Sequence, residues 1–478
     1  MKEERGPRTT QPVKELSTNV WRNPMRSFKL QVAAAIAVIV LVVAACGSST
    51  SPSASTAANP SAATSGAPAS ASAPAATANL VLRYCWSGEG EVKAMESIIQ
   101  DWNAANPDIQ VRGISGSINV EEIAASVAGG APPDMVIACN NQMIPGFAAE
   151  GVIEPMDALL TQIKADTSNI IPASLEWVKF KGTLYGLPFL QDVWGFMWNT
   201  DAFTEAGLDP AKPPTTLEEL ESYNEKLTKV AADGTVERAG FIPYYPGKNF
   251  NELSHLFGCE YYDAPTNKLT VNSDACVQFF DWYKAYAQKY DKDGKITDLI
   301  ASKGSEDEDL FYTGKVAMGV FGEWVPGAAY APTFAPDLKY DSAPIPAKVA
   351  EYFGGGYING NAFFIPKGSK DAVAAAKFGM YLMTDPPSKK MALQNASVPQ
   401  LVSLTTDPEL TAIPHFKAFL DIANNKSTWS NPMISIWAEL SDSLDAALDK
   451  VINGGADSKQ VLDDVVTQLQ PKLDEAGG

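Results

Sequence analysis

LVLRYCWSGEGEVKAMESIIQDWNAANPDIQVR, residues 80–112, changes its periodicity twice. Leu80 to Tyr84 is extended in character. Val92, Met95, Ile98, Ile99 and Trp102 then recur at helical spacing, Asn106-Pro107 stops the run, and Ile109 to Arg112 is extended again. That is a βαβ unit. Pro132-Pro133-Asp134 leads into Met135-Val136-Ile137, another strand, followed by the polar loop Asn140-Asn141-Gln142 and a further helical segment. Strands alternating with helices at this rhythm predict an α/β fold with a mainly parallel sheet covered on both faces. In such sheets ligands gather beyond the carboxyl ends of the strands.

Toward the C-terminus, Gly186 and Pro188 set an extended segment, and Phe189 to Trp198 is apolar enough for a buried strand. Thr215-Thr216 offers an N-cap, with Glu218-Glu219 placed in the first turn where the helix dipole favours acid. Gly314 and the small residues around Met318 suit a tight turn into a strand. The tail is helical. Trp437, Leu440, Leu444, Ala447, Leu448 and Val451 form one apolar stripe, Val461, Leu462, Val465, Val466 and Leu469 another, and Gly454-Gly455 separates them.

Toward the N-terminus, an uncharged apolar run from Val32 to Ala45 follows Arg22, Arg26 and Lys29. A basic segment, a short apolar run and small residues before a cut site make a secretory signal, too short to span comfortably as a mature membrane helix. Gly47 to Asn79 holds no charged or aromatic residue and cannot bury enough apolar area to fold, so it reads as a tether. From Leu80 onward the chain is too long for one ordinary core and suits two lobes. The formal charge of −19 argues against nucleic acid or an anionic bilayer surface as partner, and also serves solubility outside the cell. Cys259 and Cys276 flank a short polar segment with turn residues, while Cys85 and Cys139 each end a strand-like run. Each pair is a disulfide candidate in an exported chain, two free buried thiols being the alternative. No CxxC is present, which disfavours a zinc ribbon or a thioredoxin-like site.

The inventory for catalysis is poor. His255 and His415 are the only histidines, and HExxH, Gly-x-Ser-x-Gly and the phosphate-loop pattern are all missing. Gly354-Gly355-Gly356 lacks dinucleotide-binding spacing, Asp291-Lys292-Asp293-Gly294 is a fragment of a calcium loop that reads as a surface turn, and Glu306 to Asp309 reads as a solvated charge cluster. No catalytic residue, cofactor or metal is expected, and the chain is not expected to be an enzyme.

Several stretches carry a resemblance. Val43-Ala44-Ala45-Cys46 resembles the bacterial lipobox, which implies lipidation of Cys46, cleavage before it, and anchoring on the extracellular face of the cell membrane. Pro133-Asp134-Met135-Val136, Tyr185-Gly186-Leu187-Pro188-Phe189 with Trp198 to Phe203 and Ala206 to Asp209, Pro213 to Leu220, Gly314 to Met318 with Gly322-Glu323-Trp324, and Ala372 to Leu382 with Pro399 come in order. Together they resemble the extracellular solute-binding proteins of bacterial ABC importers, in particular the sugar-binding group similar to maltodextrin-binding protein. The resemblance implies a periplasmic-binding-protein-like fold of two α/β lobes joined by hinge strands: a signal peptide at 1–45, a linker at 46–79, lobe one at 80–190 with 347–395, and lobe two at 191–346 with 396–478.

It also implies a monomer that captures a sugar between the lobes, closes on it and docks on transmembrane permease subunits. Sugars want flat aromatic platforms and short polar side chains. The ligand residues implied are Trp86, Ser87 and Glu89 after the first strand; Asn140, Asn141 and Gln142 after the Pro-Asp strand; Asp192 and Trp194 on the crossing segment; Tyr244 and Tyr245; Glu323 and Trp324; Gly355, Gly356 and Tyr357; and Trp437. Cys85, in the first of these loops, departs from the group's pattern. A binding protein for a polyamine, iron or a peptide shares the architecture, and a carboxylate-rich cleft would favour a cation; an exported glycoside-acting enzyme is the remaining rival.

Overall fold

The computed structural model describes residues 78–305, 308–328 and 330–476. The leader, Cys46 and the tether up to residue 77 lie outside the described residues, as do Glu306 and Asp307. The opening βαβ unit is formed by β1 (Ala78–Tyr84), α1 (Glu89–Ala105) and β2 (Ile109–Ser115), with β1 and β2 parallel. Met95, Ile98, Ile99 and Trp102 are the buried stripe of α1, and the Asn106 N–H closes the helix on the Trp102 carbonyl. On the other side of β1 lies β3 (Met135–Ala138), also parallel. Asp134, just before it, is buried because its carboxylate accepts from the backbone N–H groups of Val81 and Lys370, tying β3 to its neighbours.

The crossing element is β4 (Leu187–Asn199), 13 residues long. Further on come β5 (Val236–Phe241), β6 (Val316–Gly322) and β7 (Ile358–Phe364). The main sheet has the order β2-β1-β3-β7-β4-β6-β5, with Lys229–Val230 beyond β5 and with Tyr340–Ala343 and Val398–Pro399 added to β4. Parallel pairs (β1 with β2 and β3, β5 with β6) sit within each half, and antiparallel β7 and β4 join the halves. Up to Val193, β4 pairs with β7; from Trp194 onward it pairs with β6. Gly186, at its start, faces the Phe363 carbonyl so closely that a Cβ would lie 2.7 Å from that oxygen.

Three apolar clusters follow from this strand. Leu187, Phe189 and Leu190 join β1, α1 and β3 in the first. Beyond the crossing, alternation sends Phe196 and Trp198 to one face and Val193 and Met197 to the other, into two separate cores. The terminal helices α2 (Trp437–Gly454) and α3 (Ser458–Ala476) close the second cluster with the stripes read from the sequence, and Gly455 ends α2 at φ 65°. Leu401, Leu404 and Leu410 pack in the first cluster. Helix Leu217–Leu227 is capped by Thr216, which accepts from the Glu219 N–H. Both cysteine pairs, Cys85–Cys139 and Cys259–Cys276, are disulfide-bonded. Among the described residues no helix is long and apolar enough to cross a membrane.

Candidate functional site

The midpoint of β4, where its partner changes, is also where side chains from both halves converge. Glu323 follows directly on β6. Its N–H donates to the Val193 carbonyl at 2.9 Å, and its Oε2 accepts from the Val193 N–H at 2.7 Å, so the carboxylate completes the ladder at the crossing. The Trp194 N–H in turn donates to the Tyr357 carbonyl. Beside this point lies a cavity of ≈ 170 Å³. The β1–α1 loop and first helical turn line it with Trp86 and Glu91, and the end of β3 with Cys139. Asp192 comes from β4 and Asn361 from β7, Asn395 and Ser397 from the returning connection, and Trp324 and Tyr330 from the segment after β6.

Each wall has a local cause. Trp86 is held on the first core by Phe189, ring centroids 5.9 Å apart and edge-on. Trp324 stands at 86° to Trp194, centroids 5.0 Å apart. Gly322 makes that position possible, since a Cβ there would fall 2.1 Å from the Trp324 ring. Ala396, between Asn395 and Ser397, is left-handed (φ 53°), which lets the chain leave helix Asp385–Asn395 and turn both flanking residues inward.

Two carboxyls dominate the electrostatics. Burial pushes Asp192 up to about 7, although part of its surface remains open to the cavity. Glu323 is fully buried; burial first, then the charge of Asp192, hold it well above the ordinary carboxylate range, with hydrogen bonds from the Val193 N–H and its own N–H acting in the opposite sense. Glu323 Oε1, Trp194 Nε1 and Asn395 Oδ1 are buried without a hydrogen-bond partner among the described residues. The site thus offers indole faces and short polar groups in a partly desolvated space, and among the described residues no basic side chain lines it.

Of the ligand residues named from the sequence, Trp86, Asp192 and Trp324 meet at this cavity, with Trp194 and Glu323 directly behind them. The Gln142 side chain donates to the Tyr357 hydroxyl at 2.8 Å, and Asn431 donates to the same oxygen at 2.8 Å, so Gln142 and Tyr357 form a part-buried bridge outside the lining of this cavity. The others go elsewhere. Ser87 and Glu89 are exposed, Glu89 pairing with Lys93 on the outer side of α1. Asn140 is exposed and caps its own turn by accepting from the Gln142 N–H; Asn141 is buried, tying the Trp177 carbonyl to the Gly360 N–H.

The Tyr245 hydroxyl donates to Asp309 at 2.6 Å inside the third core, and Tyr244 packs between the second and third cores with its hydroxyl 3.4 Å from Asp291. Gly355 and Gly356 face protein: a Cβ would fall 2.3 Å from the Ser427 carbonyl and 2.6 Å from the Trp194 carbonyl. Trp437 is a core residue against Tyr261.

Glu91, Tyr330, Asn361, Asn395 and Ser397 were not legible as lining residues. Glu91 reads as a first-turn acid and does accept from the Gly88 N–H at 3.1 Å. A second cavity of ≈ 200 Å³ holds none of the ligand candidates; in it His255 stacks on Trp429 at 4.7 Å and lies 2.8 Å from Glu260.

The family model described as bacterial extracellular solute-binding protein matches residues 86–387. The chain is 22% identical to the maltotriose-binding protein of Pyrococcus abyssi, over 75% of each chain. It is 26% identical to the galactooligosaccharide-binding protein of Bacillus subtilis, over 72% of this chain and 78% of that one. Among solved structures, that of CpMnBP1 with mannobiose bound superposes with a TM-score of 0.74 and 28% identity, covering 83% of this chain and 100% of the other.

Proposed function

As the chain belongs to the bacterial extracellular solute-binding protein family, we propose that it captures a sugar or short oligosaccharide in the cavity at the midpoint of β4 and presents it to the transmembrane subunits of an ABC importer. The observation that carries this reading is the two-sided aromatic wall. Trp86 belongs to the first core, Trp324 follows β6 of the other half, and both line one space beside the crossing strand. A sugar touching both walls holds the halves together, so its binding energy favours the closed form. The lobe division (80–190 with 347–395, and 191–346 with 396–478, save that Leu401, Leu404 and Leu410 pack in the first cluster), the lipid anchor at Cys46, placement on the outer face of the membrane and a monomeric state belong to the same proposal. The sugars named for the relatives support the substrate class: maltotriose, galactooligosaccharide and mannobiose. No turnover is expected; binding is the whole reaction.

The test is tryptophan fluorescence and calorimetry of the full-length protein in mild detergent against glucose-, galactose- and mannose-based mono- to trisaccharides. Saturable binding of one series, recovery of the sugar unchanged, and loss of the response in Trp324→Ala are expected. Silence toward every sugar, or a cleaved sugar, would overturn the proposal.

A further inference from the structure

The cavity lining is unbalanced in charge. Asp192 and Glu91 line it, Glu323 lies directly behind Asp192, and among the described residues no Lys, Arg or His side chain faces the space. An independent observation points the same way: Asn395, only 4% exposed, lines the cavity, and its Oδ1 has no hydrogen-bond partner among the described residues. The unpaired carbonyl oxygen is an acceptor, and so is each carboxyl group once ionised. What such a wall lacks is a donor carrying positive charge, and the indole faces of Trp86 and Trp324 suit a cation's neighbouring C–H surface.

We propose that the ligand is a carbohydrate bearing a protonated amine, its ammonium group seated on Asp192 and Asn395 Oδ1 and its ring against Trp324. This rests on the sugar-binding reading and narrows it. The titratable groups facing Asp192 are Glu323 after β6, Glu91 on α1, Tyr330, and Tyr357, whose phenol is raised partly by the charge of Asp192. With no fixed cation among these described groups, the pair keeps protons to higher pH than ordinary carboxylates do, and an arriving ammonium replaces a proton as the counter-charge. Affinity for the amine therefore increases as pH rises from about 5.5 toward about 7, where Asp192 ionises, whereas a neutral sugar gains nothing over that range.

The experiment is calorimetry of the full-length protein with matched mono- to trisaccharides carrying at one carbon an amine, an N-acetylated amine or a hydroxyl, with putrescine and spermidine as ring-free amines. The expected result is tighter binding of the amine form by about tenfold or more over both counterparts, a preference that grows with pH and disappears in Asp192→Asn. Glu323→Gln serves as the second variant, since it also removes a carboxyl from the pair, and a thermal melt of each checks folding. Binding of the hydroxyl or acetyl form equal to or tighter than the amine overturns this inference and leaves the sugar-binding proposal standing. Binding of the ring-free amines alone overturns the sugar-binding proposal, and no binding by any probe overturns both.

Discussion

Asp192 and Trp324 show how single residues set the properties of the site. The unfolded chain releases the Asp192 proton near the ordinary value of 3.8, while the folded chain keeps it up to about 7. The folded state therefore binds more protons between those values, so stability is greatest below the lower one and falls through the window. Asp192→Asn removes this loss. Its stability relative to the parent should be within roughly 1 kcal/mol at about pH 4 and higher by about 1–3 kcal/mol at about pH 8, as read from urea unfolding at both values; an equal difference at both would show that burial does not perturb this carboxyl. For Trp324→Ala, removal of the stacking face should weaken ligand binding by about 2 kcal/mol with little change in the melting temperature, because the ring is only half-buried.

At the scale of elements, the end of β6 is where packing and binding meet. Gly322→Ala places a methyl group against the Trp324 indole. The variant should lose about 1–3 kcal/mol of stability along with affinity. Adding Trp324→Ala should recover most of the stability loss, a non-additivity that a double-mutant cycle measures directly. The βαβ unit, the crossing strand and the two terminal stripes were legible in the sequence because period and turn chemistry settle them locally. The direction of an aromatic was not. Tyr244 and Tyr245 sit in a run whose two faces are both buried here, so alternation cannot say which face meets ligand and which meets core, and Trp437 belongs to the apolar stripe of α2 that packs into the second core. Asn395 and Ser397 escaped notice because it is the left-handed Ala396 between them that turns them inward, and nothing in the side chain of alanine announces that conformation.

For the whole molecule, one strand belongs to both halves, and the Gln142–Tyr357–Asn431 bridge ties together segments far apart in sequence. Tyr357→Phe removes the oxygen that accepts both amides and leaves those donors unpaired, a cost of about 1–3 kcal/mol that falls on whichever form keeps the bridge, here taken to be the ligand-bound one. The expected signature is weaker ligand binding and, in small-angle scattering, a smaller ligand-induced decrease in radius of gyration than in the parent protein; an unchanged decrease would place the bridge outside the closing motion.

The placement of β1 has a mechanical consequence. It is an interior strand, laddered with β2 along its whole length from Ala78 and with β3 over Leu82–Tyr84. A pull entering at Ala78 runs along the strand axis, so the bonds on both flanks are loaded in shear and must yield together rather than peel one by one. The fold resists tension at the end where the sequence places its tether, and force spectroscopy pulling from that end should meet a stiff clamp.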